Sequence, residues 1–221
     1  MRVEYLSYVI KNNNPVYGGE SFTPELAKEK SLKAGDSCNS FYFTIRNHLG
    51  THIDCPAHFF NKGKSIVNYP ARSWYFLSPF VLKKKLKKSQ LISIKDLEGV
   101  PLDADLLLIQ SGFSKLRKTR VYSCQNPGFT PRSGMWLRKN RPKIRAVGFD
   151  FISLSAYKHR KIGRQAHRVF LDPRGENNPL LIIEDMDLSI DLAGLTAVLA
   201  APILLKGIDS SPCTVIGLFD D

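Results

Sequence analysis

Residues 48–58 read His-Leu-Gly-Thr-His-Ile-Asp-Cys-Pro-Ala-His, which places three imidazoles and one carboxylate within eleven residues of a chain that has five histidines. The backbone that can carry them is restricted. Gly50, the β-branched Thr51 and Ile53, and Pro56 all disfavour a helix, so the segment reads as a strand running into a turn, with Pro56 bending the chain. Side chains alternate along an extended segment, and His48, His52, Asp54 and His58 are all even-numbered. They are expected on one face, where they can close on a single metal ion. Gly50, between the first two histidines, leaves room for an ion or substrate to approach the backbone. Cys55 falls on the other face and reads as a small buried apolar residue.

The alternative is that these histidines are hydrogen-bonded core or surface residues. Imidazole and carboxylate without thiolate point first to zinc, with manganese or iron also compatible. The four cysteines, Cys38, Cys55, Cys124 and Cys213, form no CxxC pair, which argues against a disulfide framework and against a thiolate zinc site. A divalent ion lowers the pKa of bound water from about 15.7 to near 7 and polarises a carbonyl oxygen. Hydrolysis through metal-bound hydroxide then needs no serine or cysteine nucleophile. A histidine can carry the proton to a departing nitrogen. His58, past Pro56, can turn its ring alongside the metal without being a ligand. Glu184 ends the apolar run Leu180-Leu181-Ile182-Ile183. A carboxylate there is costly unless paired or metal-bound; otherwise it is a solvated residue capping the next turn. His167 and His159 compete as a distal ligand, and the His-x-x-x-Leu pattern before the acidic strand end favours His167.

The 221 residues, 43% hydrophobic and 24% charged, suit one soluble unit spanning 1–221 with a substantial core. No leader or membrane-spanning run is apparent, so a cytoplasmic protein is expected. The net charge of +12, concentrated at Lys83–Lys88 and between Arg138 and Arg168, raises nucleic-acid binding as a rival. No helix-turn-helix, paired-cysteine finger or spaced aromatic platform accompanies it. The charge can instead steer anionic small substrates. A second rival is a non-catalytic binding or regulatory protein with a structural metal and a basic working surface.

Phe41, Phe43 and Ile45 alternate with more polar partners, so 41–46 reads as the strand that delivers His48. Further strands are expected at 2–9, 80–86, 104–110, 145–149, 180–184, 199–206 and 213–219. Thr130 followed by Pro131 opens a helix to Lys139, Ser93 with Asp96 starts a short turn, and Ser153 begins another. Strands outnumber helices, as in a layered α/β domain with two stacked sheets and helices over one face.

The segment HLGTHIDCPAH has the form His-x-Gly-Thr-His-x-Asp-x-Pro-x-His and resembles the signature of the metal-dependent cyclase family, which includes bacterial kynurenine formamidases and isatin hydrolases. The likeness covers most of the chain, from Pro15-Val16-Tyr17-Gly18-Gly19-Glu20 through His58-Phe59-Phe60, Asn68-Tyr69-Pro70 and Val147-Gly148-Phe149-Asp150 to His167-Arg168-Val169-Phe170-Leu171, Ile183-Glu184-Asp185-Met186-Asp187-Leu188 and Gly207-Ile208-Asp209-Ser210-Ser211-Pro212. The resemblance implies the swivelling β/β/α fold and a small-molecule amide, formamide, lactam or lactone substrate. It also implies one metal on His48, His52 and Asp54, with Asp54 bridging to a second ion on His167 and Glu184. Some members hold one ion only. His58 takes the proton-transfer role, Tyr17 contacts substrate, and the chain pairs as a homodimer or higher homo-oligomer. Gly18, Glu20 and Thr214 stand where proline, aspartate and arginine are common in the family.

Overall fold

A computed structural model describes residues 1–220. In chain order its strands are β1 (Arg2–Tyr5), β2 (Asn14–Pro15), β3 (Ser21–Phe22), β4 (Glu25–Lys30), β5 (Ser40–Thr44), β6 (His52–Asp54), β7 (Tyr75–Phe76), β8 (Pro79–Lys83), β9 (Leu91–Ile92), β10 (Leu106–Gln110), β11 (Gly128–Phe129), β12 (Ala146–Phe149), β13 (Leu181–Glu184), β14 (Leu195–Pro202) and β15 (Ser210–Phe219). The α-helices are α1 (Arg120–Cys124), α2 (Pro131–Asn140) and α3 (Arg160–Leu171).

Nine strands form one sheet in the order β7-β14-β15-β6-β13-β12-β10-β8, with β1 also paired to β15. β8, β10, β12 and β13 run parallel, whereas β6 is antiparallel to both β13 and β15. β15 makes two layers of it: Ser210–Pro212 pair with β6, and the rest pairs with β14 and β1.

The apolar runs of the parallel strands are buried on both faces, as a covered parallel sheet requires. Leu107, Ile109, Val147, Phe149 and Ile182 face the helices, in one core with Phe129, Leu137, Phe170 and Leu171. Their odd-even partners Leu106, Leu108, Ala146 and Ile183 join Ile53, Cys55, Phe76, Val198, Val215 and Phe219 between the layers. Each fully buried large side chain contributes about 1.5–3 kcal/mol. The expected α/β fold, with stacked strand layers and helices over one face, is the one observed.

Thr130 caps α2, its hydroxyl accepting from Ser133 N at 3.2 Å, and Ser93 with Asp96 closes a capping box over a single turn, Ile94–Asp96. Two expectations are corrected. The 41–46 segment does not lead into the main sheet; β5 pairs only with β4 in a hairpin, and Phe41, Tyr42 and Phe43 are 49, 60 and 61% exposed. The strand expected at 199–206 starts at Leu195 and ends at Pro202, leaving Ile203, Leu204 and Leu205 exposed. Ser153 opens a short turn as expected, its hydroxyl accepting from Ser155 N at 3.2 Å and donating to Glu184 Oε1; α3 begins at Arg160. Among the described residues no helix is long and apolar enough to cross a membrane.

Candidate metal centre

The cluster forms on the helix-facing side of β6. Register sets His52 opposite Glu184 of β13, and Asp54 opposite both Ile182 of β13 and Ser210 of β15. Ile53, between the two ligand-type residues, points into the core between the layers. The even-residue alternation therefore holds for His52 and Asp54 and extends no further. His48 precedes a turn in which Gly50 takes φ +65°, and His58 ends a 3-10 turn opened by Pro56. Three local structures, not one extended face, bring these side chains together. Gly50 also differs from expectation. The position its side chain would take lies 3.4 Å from Ile10, so the glycine serves the left-handed turn, and its carbonyl lies 2.8 Å from His52 Nδ1.

The second-layer contacts orient the rings. His52 Nδ1 is committed to Gly50 O, leaving Nε2 for the cluster, 3.6 Å from Asp54 Oδ1 and 3.5 Å from Glu184 Oε2. His167, on α3, has Nδ1 against Gly163 O at 3.1 Å and Ser155 Oγ at 3.0 Å, with Nε2 3.4 Å from Glu184 Oε1. That approach of α3 depends on Gly163, since a side chain there would meet Ser155 Oγ at 2.3 Å. Leu154 N and Ser153 Oγ donate to Glu184 Oε1 at 2.7 and 3.2 Å. His48 lies 3.2 Å from Asp54 Oδ1 and 3.4 Å from Asp209 Oδ2. Asp209 Oδ2 also takes His58 Nδ1 at 2.6 Å.

Three groups result in which the ligand atoms all lie within 4.8 Å of one another: His48, His52 and Asp54; Asp54, His167 and Glu184; and His48, His58 and Asp209. The first two share Asp54. Whether they suit a cation is tested by their hydrogen bonding. His52 Nε2 and Asp54 Oδ1 are buried and have no hydrogen-bond partner, and the nearest nitrogen to Asp54 Oδ1, His48 Nδ1, stands at ion-pair distance, 3.2 Å. Leaving such atoms unpaired costs about 1–3 kcal/mol each. A divalent cation satisfies both, and the nitrogen and oxygen donor set matches one.

The electrostatics point the same way. Burial opposes charge on His48, but the Asp209 and Asp54 carboxylates outweigh it and push its pKa up to about 10. Burial would raise Asp54, yet His48, His52 and His58 hold it well below the usual carboxylate range. Hydrogen bonds from His48 and His58 lower Asp209 likewise. His167 is raised by Glu184 against the effect of burial. The carboxylates hold positive charge strongly at this position.

His159 is exposed at the N-terminus of α3 and joins none of the three groups. Tyr17 lies half-buried at the rim, edge-on to Tyr157 with ring centres 5.2 Å apart, and burial pushes its hydroxyl up to about 12. Sequence reasoning missed Asp209, Ser153 and Ser155. Asp209 stood inside the Gly207–Pro212 turn; its partnership with His58 spans 151 positions of sequence and leaves no local periodic mark.

The Cyclase family model matches residues 5–156, a span that holds Tyr17, His48, His52, Asp54 and His58. The kynurenine formamidase of Geobacillus thermodenitrificans is 28% identical over 217 residues, covering 94% of this chain and 92% of its own. Cyclase-like protein 2 of Arabidopsis thaliana is 27% identical over 191 residues, 84% of this chain and 67% of its own. Among solved structures, isatin hydrolase A from Ralstonia solanacearum superposes with a TM-score of 0.76 at 17% identity, covering 99% of this chain and 92% of that one. At that identity the superposition speaks for the fold.

Proposed function

This chain belongs to the Cyclase family, and from that premise we propose that it is a divalent-metal-dependent hydrolase that opens a small amide, formamide, lactam or lactone at the carbonyl. The observation that carries the reading is the pair of buried, unpartnered ligand atoms, His52 Nε2 and Asp54 Oδ1, at the centre of the cluster. His48, His52 and Asp54 hold the first ion, zinc before manganese. Asp54, His167 and Glu184 hold a second where one is bound. Such an ion, when bound, supplies Lewis acidity for the carbonyl and makes a water acidic enough to attack at neutral pH.

The remaining steps belong to side chains. Asp209 accepts the Nδ1 proton of His58 and so fixes the tautomer whose Nε2 is a free base. His58 takes a proton from the attacking water and returns it to the departing nitrogen or oxygen. Ser155, the Gly163 carbonyl and the Leu154 amide keep His167 and Glu184 in place, so the site needs little reorganisation during reaction. Tyr17 contacts the substrate at the rim. A homodimer or higher homo-oligomer fits the exposed β4–β5 hairpin, whose Leu26, Phe41, Tyr42 and Phe43 form an apolar arm of a kind seldom left in water. A cytoplasmic setting fits four unpaired thiols.

The test is elemental analysis of protein purified without added metal, followed by turnover of formanilide, a cyclic imide and an aryl lactone with the native ion restored. Stoichiometric metal with hydrolysis of one of these classes is expected. Protein that refuses zinc, manganese and iron alike overturns the reading.

A further inference from the structure

The wall that holds Glu184 and His167 continues outward to a guanidinium with no carboxylate partner among the described residues. From Ser153 to Ser155 it serves the cluster, and Asn126 braces it from behind, donating to Ser153 O at 3.0 Å and Ser155 O at 2.8 Å and accepting from Tyr157 N at 3.1 Å. Tyr157 meets the Tyr17 ring, and Arg160 lies on Tyr157 with its guanidinium carbon 3.9 Å from the ring centre. Arg160 and His167 stand seven residues apart on α3, near two full turns, so they share a face about 10 Å apart along the axis.

Arg117 offers an internal comparison. It too lies on a tyrosine, Tyr8, at 3.8 Å, but it is paired bidentately with Asp185. Among the described residues the lysine and arginine ion pairs use Lys83, Lys84, Arg117 and Arg145, and Arg160 has none. A guanidinium stacked on a ring keeps its edge N–H groups free for a planar anion. Arg160 hydrogen-bonds to the Tyr17 hydroxyl, and its remaining N–H groups form a cationic edge beside Tyr17 on the wall that leads to the cluster.

We infer that Arg160 seats an anionic group of the substrate, which makes the preferred class a small aromatic or cyclic amide or ester bearing a carboxylate about one ring's length from the scissile carbonyl. The inference rests on the hydrolase reading and deepens it. Tyr17 and Tyr157 flank the intervening ring, and the cluster receives the carbonyl. The rival cation is Arg168, which lies over Phe59 and Phe60 at 5.7 and 5.9 Å.

The experiment compares 3-formamidobenzoate with formanilide in metal-loaded wild-type protein, R160A and R168A. Wild type is expected to favour the carboxylate substrate in kcat/KM, and R160A to shrink that preference about tenfold, mainly through KM, as loss of a charged hydrogen-bonding pair predicts. R168A should keep the wild-type preference. Equal use of the two substrates by wild type, a preference that survives in R160A, or one that disappears in R168A instead overturns the assignment. If neither compound is hydrolysed, the failure belongs to the hydrolase reading, and Arg160 is judged by calorimetric titration of benzenesulfonate, a weak metal ligand. Binding that weakens in R160A relative to wild type then supports the seat; equal affinity, or no binding to wild type, overturns it. Arg160 is exposed, and matching melting temperatures check that each variant folds.

Discussion

Glu184 and Asp185 are adjacent carboxylates at the end of β13, and their surroundings are opposite. Asp185 is closed on every side. Arg117 donates to it twice, at 2.9 and 2.7 Å, the Tyr122 hydroxyl donates as well, and its carbonyl accepts from Thr51 Oγ1 at 2.6 Å. That Thr51 hydroxyl in turn accepts from Tyr8 N. The satisfaction is extensive enough to hold Asp185 at φ +52°, a strained conformation for a side chain of this kind, costing about 1–3 kcal/mol. Glu184 is held by donors on one oxygen, while the other faces a histidine nitrogen that bonds to nothing. The contrast separates a polar network that stabilises from one arranged to bind. In a buried network complete pairing gives rigidity, whereas converging unpaired ligand atoms are an energetic debit that a cation removes.

The comparison can be broken most severely at Asp54, which belongs to two of the ligand groups. Asp54→Asn is expected to abolish metal retention and turnover together, measured by elemental analysis and steady-state rates, while the protein stays folded. A D54N variant that keeps a full complement of metal contradicts the assignment. His58→Ala should lower turnover by about 10²–10⁴-fold with metal content preserved; parallel loss of metal would make His58 a ligand. On the closed side, Arg117→Ala strands a buried carboxylate and should cost about 3–5 kcal/mol in denaturant unfolding, with metal stoichiometry intact in the folded fraction. Tyr122→Phe is milder, about 1–3 kcal/mol, because Arg117 still pairs with Asp185.

A pH series sharpens the same contrast at the smallest scale. Burial, and then Asp185, raise the Tyr122 hydroxyl well above its ordinary value, and burial raises Tyr8 in the same direction. A raised folded pKa contributes stability in full below the unfolded value, near pH 10, and loses it as the pH climbs beyond. Wild-type stability should therefore fall above about pH 10, and Tyr122→Phe should flatten the slope in urea titrations between pH 8 and 11. An identical slope would show that Tyr122 does not titrate with unfolding.

How much of this was legible in the chain follows the range of each signal. Continuous apolar runs at 106–109 and 181–183 marked strands because both faces are buried, and Thr130-Pro131 marked a helix start through local capping chemistry. The ligand-rich segment announced a cluster, but parity could not say that Gly50 and Pro56 would turn His48 and His58 in from outside the strand. α3 was missed because no side chain caps its N-terminus; packing of Gly163, Ala166, His167 and Phe170 supports it instead. The β4–β5 hairpin misled because alternation normally signals a core face, and here the apolar side chains remain outside. Asp209 was read only as part of the Gly207–Pro212 turn, because its partner His58 lies 151 positions away in the sequence.

β15 occupies the middle of the sheet, between β6 and β14, although its residues follow those of every other strand. Ribosomal synthesis must therefore leave β6, with His52 and Asp54, open along one border until residues 210–219 emerge, and contacts of such sequence separation form slowly. A nascent or truncated chain halted before Ser210 exposes that border to pairing with foreign strands, so premature termination endangers solubility before it concerns chemistry.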